Sequence, residues 1–159
     1  MARQKPIELF MPPNMLKAKV GGGTGGGLDM AAIKRAETAM ESLKGEFAGW
    51  AAQDVQKLEA ARGRFAKTPD ADARAALLRA AHDMKGQAAT FDYPLIARTA
   101  GSLSKMIHDT TKPIPLGLVD AHVSAIHVIY RDKVMDASNK VALVLIEELE
   151  AQVAAFLAA

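Results

Sequence analysis

The sequence predicts an all-α protein, an antiparallel up-and-down four-helix bundle with additional N- and C-terminal helical elements. Three observations predict it. Half of the residues are hydrophobic yet only 5% are aromatic, and alanine and leucine dominate without any alternating, β-branched segment. Apolar residues recur at three- and four-residue intervals along most of the chain. The breaks between these periodic stretches are short, which places successive helices antiparallel to one another. With 159 residues the chain suffices for one domain with a proper core and is too short for two.

Residues 1–28 differ from the rest and form a flexible, Pro/Gly-rich N-terminal tail. "KPIELFMPPNMLKAKV" holds three of the seven prolines and runs into "GGGTGGG", a linker composition. Ile7, Leu9, Phe10, Met11 and Leu16 are nevertheless apolar enough for a tethered docking peptide. The helical domain spans residues 29–159. Asp29 is placed to cap a first helix with the stripe Ile33, Ala36, Met40, Leu43, Phe47 and Trp50. The stripe then shifts and continues through Val55, Leu58, Arg62 and Phe65. One helix to Lys67 would run on the order of 55–60 Å, so a bend or an overhanging N-terminal half is expected. Gly45 and Gly49 mark such a bend or a close approach by a neighbouring helix.

"KTPDADARAALLRAA" opens the second helix, with Thr68 as its cap and Pro69 at its first position, and the helix runs to about Thr90. "FDYP" is a turn, because Tyr93 precedes a proline. The third helix carries Leu95, Ile96, Leu103, Met106 and Ile107 on its apolar face and is broken by "HDTTKPIP". "LGLVDAHVSAIHVIYRDKV" and "ASNKVALVLIEELEAQVAAFLA" form two more helices, separated near 136–139. The last of them is expected to pack on the N-terminal half of the first helix and cover its stripe.

Several function classes drop out on composition. The net charge is +2, from 20 basic and 18 acidic residues, and no run of five like charges occurs, so no nucleic-acid-binding face is expected. Without cysteine there is no disulfide, thiolate nucleophile or Cys-type zinc site. The most apolar stretch is interrupted by Glu147, Glu148 and Glu150, so no membrane span and a cytoplasmic location are expected.

The residues that invite chemistry lie in "AAHDMKGQAA". On a helical wheel Leu77, Ala81, Met84 and Ala88 share a sector of roughly 60°, the buried stripe, and His82 lies about 130–140° from its centre. His82 therefore faces solvent. Around it fall Ala75, Leu78, Gly86 and Ala89, with Arg79 and Lys85 alongside. Such a low, partly apolar patch lets another macromolecule approach the imidazole closely. Gly86 costs the helix about 1 kcal/mol relative to alanine, and clearance for a docking partner accounts for it better than packing against a neighbouring helix does. An exposed histidine has a pKa near 6.5 and is a competent nucleophile at neutral pH. Lys85, one turn away, would stabilise an anion on the ring. A phosphoryl group is the obvious anion. No nucleotide-binding loop is present, so it would come from a partner protein.

"AAHDMKGQAATF", followed by "YPLIARTAGSLSKMI", resembles the signature region of histidine-containing phosphotransfer (HPt) domains of bacterial two-component phosphorelays. The similarity covers roughly residues 40–132, with the tail and the C-terminal helix outside the minimal domain. It implies a monomeric bundle, a phosphocarrier without ATP-dependent kinase activity, and reversible phosphorylation of His82 at its outward ring nitrogen. The implied partners are response-regulator receiver domains, which bring their own Mg²⁺, and a hybrid or sensor histidine kinase; no cofactor of its own is implied. Lys85 carries over as the phosphate-neutralising residue, Gly86 as clearance and Gln87 only as a polar neighbour. Leu78, Arg79, Ala75 and Ala89 are expected to contact the partner, with Arg98 facing them from the next helix.

Two rival readings are a metal-binding bundle and a non-catalytic helical adaptor. A bundle metal site wants ligands at i, i+3 or i+4 on facing helices. His122 and His127 are five apart, about 140° around a helix, and are expected to serve boundary packing and surface polarity. His108 suits a helix C-terminus. Asp83 directly follows His82 and is expected to point elsewhere, leaving no oriented acid–base pair.

Overall fold

A computed structural model describes residues 29–159, apart from the side chain of Phe47. The tail of residues 1–28, with its apolar residues and glycine run, lies outside the described residues. Among the described residues five helices follow one another: α1 Met30–Lys67, α2 Ala71–Thr90, α3 Pro94–Asp109, α4 Leu116–Arg131 and α5 Lys140–Ala158. The chain divides into two compact units, one through Ala39 and one from Met40. In the first, Asp29 starts α1 as expected: its carboxylate accepts the Ala31 N–H at 3.1 Å and its carbonyl accepts the Ile33 N–H at 3.0 Å.

In the second unit α1 continues without interruption past Gly45 and Gly49. A β-carbon at either glycine would meet nothing within 4 Å, so neither admits a closely packed neighbour. From Met40 to Trp50 the described side chains are exposed, and burial begins at Ala51. This corrects the expected role of the C-terminal helix. Met40 and Leu43 stay uncovered, while α5 packs against α3 and α4.

The core gathers Val55, Leu58 and Phe65 of α1 with the apolar stripes of the other four helices. At its centre lies α3, packed against α2, α4 and α5 and burying nine of its residues. Hydrogen bonds tie α1 to α4: Arg62 Nε donates to Asp120 at 2.6 Å, His127 Nδ1 lies 2.7 Å from Glu59, and the Tyr130 hydroxyl donates to the Ala48 carbonyl at 3.1 Å. Trp50 meets Phe91 edge to face at 5.8 Å, joining α1 to the turn that follows α2.

Three local expectations need revision. Asp70, not Thr68, caps α2; its backbone is extended and its side chain accepts the Ala73 N–H at 2.7 Å. Pro69 therefore precedes the cap instead of opening the helix. His122 is in the core, with no exposed surface, and not at a boundary.

Candidate functional site

The second helix presents His82 because of where its small apolar residues fall. Ala73, Leu77, Ala81, Met84 and Ala88 are all buried, at the three- and four-residue spacing that puts them on one side of a helix. His82 points away from that side, and its side chain is 76% exposed. Arg79, Lys85, Gly86, Ala75 and Ala89 are exposed around it and Leu78 is half-buried.

A groove runs beside the histidine between α2 and α3. Ala75, Leu78, Arg79, His82 and Lys85 form one wall, and Gly101, Ser104, Lys105, His108 and Asp109 form the other. The α3 wall was not singled out from the sequence, although a signal exists. Positions 101, 104, 105 and 108 recur at helical spacing opposite Leu103, Met106 and Ile107, and they carry small or polar residues where the other face is apolar.

Two predicted residues lie elsewhere. Arg98 does not line this groove; both its Nε and Nη2 donate to Glu150 of α5 at 2.7 Å, so the guanidinium turns toward α5. Gln87 is half-buried, and at roughly 140° around the helix from His82 it falls outside the exposed patch. Gly86 is open, since a β-carbon there would meet nothing within 4 Å. That observation removes helix packing as the reason for the glycine.

No hydrogen bond from a described residue reaches the His82 ring. Asp83 Oδ1 stands 4.0 Å from His82 Nδ1, nearer than the expectation that it points elsewhere, but beyond hydrogen-bonding range. Nε2 is the ring nitrogen farther from this carboxylate. His108, in the last turn of α3 as expected, holds Asp109 through Nδ1 at 2.8 Å. Arg79, Lys85 and Lys105 have no carboxylate partner among the described residues, in contrast to Arg62, Arg98 and Arg131. Unpaired cations beside a free imidazole suit an anion held on the ring. No three His, Cys, Asp or Glu side chains converge to hold a metal among the described residues, and none of the described helices is long and apolar enough to cross a membrane.

Comparison with known proteins adds the family. The family model for the Hpt domain matches residues 42–157, whereas comparisons with curated proteins and with solved structures gave no match. The matched region holds His82, both walls of the groove and nearly all of α5. The C-terminal helix is thus inside the family's domain, not an addition to a minimal one. An exposed histidine on a cation-edged helix face, within a helical bundle matched along most of its length, leads to one conclusion: the chain belongs to the Hpt domain family, the histidine phosphotransfer modules of phosphorelays.

Proposed function

We propose that this protein relays a phosphoryl group between receiver-domain aspartates through His82. The observation that carries the reading is the outward imidazole of His82, 76% exposed, on a face whose neighbours are small or cationic. In the forward step Nε2 of the neutral ring attacks the phosphorus of an aspartyl phosphate. The N–P bond forms as the P–O bond to the aspartate breaks, and the carboxylate leaves with the electron pair. The reverse step returns the group to a second aspartate. Lys85 neutralises the phosphoryl oxygens, and the receiver supplies the Mg²⁺.

The α2 face sets access. Ala75, Leu78, Arg79 and Ala89 flank His82 at positions that a docked receiver would cover, and Gly86 keeps the approach low. Phosphocarriage without ATP hydrolysis fits the Hpt family, whose members serve as carriers and not as kinases. A receiver domain, a hybrid kinase or a sensor kinase is the partner class.

The test is phosphate chemistry. Mixed with a phosphorylated receiver domain, the protein should acquire an acid-labile, alkali-stable phosphate that is absent from His82→Gln. A wild-type protein left unlabelled by every receiver of its own organism would remove the carrier reading and leave a helical adaptor.

A further inference from the structure

The groove contains one glycine at which a β-carbon would come into contact with a neighbouring side chain. A β-carbon on Gly101 would lie 3.5 Å from Cδ of Lys85, 3.7 Å from Cε and 4.0 Å from Cγ. At the other described helical glycines, such an atom would meet nothing within 4 Å. The Lys85 stem therefore lies down across α3 at Gly101, and both residues line the groove that holds His82. We infer that Gly101 is a positioning residue, a flat seat on α3 that holds the Lys85 stem so that its ammonium stays in the His82 groove. The inference rests on the reading of His82 as the phosphoryl carrier and adds how its cation is placed.

The physical reason is the freedom of lysine. Its four-carbon stem has many rotamers, and ordering it when an anion arrives costs conformational entropy. A stem already resting along a neighbouring helix has less freedom to lose, which is preorganisation. Without a side chain at 101 the stem passes low over α3, and its methylenes lie along the helix surface instead of in open solvent. A branched or long side chain at 101 would occupy that track and lift the stem. Alanine would not, because a methyl at 3.5 Å is in ordinary contact.

Two measurements test this. The first needs no phosphate: nuclear Overhauser contacts between the Gly101 Hα and the Lys85 δ and ε protons are expected in the free protein, and their absence overturns the seat. The second is transfer from a phosphorylated receiver. Gly101→Leu should slow labelling of His82 on the order of tenfold, the loss of one charge-assisted hydrogen bond to phosphate, while Gly101→Ala stays within about twofold of wild type. In a Lys85→Ala background Gly101→Leu should have no further effect. An equal loss there would mean that the leucine obstructs docking, and an unaltered rate for Gly101→Leu alone would mean that the seat has no consequence; either result overturns the inference. Circular dichroism of each variant should keep the helical signal, since the atoms nearest a β-carbon at 101 belong to the flexible lysine stem. If wild type accepts no phosphate, the reading of His82 fails, and the Overhauser contacts still decide the seat.

Discussion

Gly86 sits mid-helix, where glycine is unfavourable, and nothing in the fold requires it. Its surroundings are open and its backbone is helical. Gly86→Ala should therefore stabilise the protein by about 1 kcal/mol, a rise of roughly 2–4 °C in melting temperature for a chain of this size, read by circular dichroism. A drop would show that the glycine serves packing after all. Gly86→Leu should keep the fold and slow labelling of His82 by a phosphorylated receiver. The direction of His82 was legible because Leu77, Ala81, Met84 and Ala88 on one side of α2 leave little ambiguity about the other side. Arg98 was misplaced for an equally physical reason. Its own helix turns it broadly toward the groove side, but Glu150, 52 positions later in sequence, draws the guanidinium toward α5. Such capture depends on tertiary neighbours and leaves no periodic trace.

The start of α2 shows how helix boundaries mislead. Thr68 and Asp70 are both capping residues, and Pro69 is at home in a first turn, so the sequence favoured the earlier start. The carboxylate of Asp70 instead reaches the Ala73 N–H and satisfies a donor that the helix cannot. Asp70→Ala should cost about 1 kcal/mol, measured as a lower urea midpoint with unchanged slope; an unchanged midpoint would make the cap immaterial. The end of α2 carries a matching device. Asp92 takes φ 60°, and the Tyr93 N–H reaches the Ala88 carbonyl at 2.9 Å, closing the helix in the Schellman manner and reversing the chain into α3. The sequence announced that turn through Tyr93-Pro94. It could not announce that α5 joins α3 and α4 instead of covering Met40 and Leu43, because several apolar stripes compete for each other and only their three-dimensional fit decides the pairing.

His122 links the core to solution pH. The sequence carries a signal for its burial that the boundary assignment overlooked: Val119, Ile126 and Ile129 recur around it at helical spacing and all are buried with it. Within the core Nδ1–H donates to the Leu118 carbonyl at 2.7 Å, and Nε2 accepts from the Ser102 hydroxyl at 3.0 Å. Both nitrogens are satisfied in the neutral ring. Burial pushes the pKa below the ordinary histidine value, against smaller raising effects of the Leu118 hydrogen bond and the Glu150 charge. In the unfolded chain the same ring titrates near 6.5. As pH falls below that value the unfolded state takes up a proton that folded His122 refuses, so stability declines with falling pH until the folded pKa is reached. The slope for one group is at most about 1.4 kcal/mol per pH unit. Asp120 acts in a separate, more acidic window: its hydrogen bond with Arg62, opposed by burial and aided by the Arg62 charge, lowers its pKa, and its contribution is lost as pH falls from the ordinary carboxylate range downward. Melting curves at pH 7.5, 6.5, 5.5 and 4.5 should show a decline already between the first three for wild type. His122→Gln should melt lower than wild type at pH 7.5, having lost the packed ring, yet lack the part of the decline that belongs to one histidine. Parallel curves for the two proteins between pH 7.5 and 5.5 would show that the buried imidazole does not set the acid sensitivity of this fold.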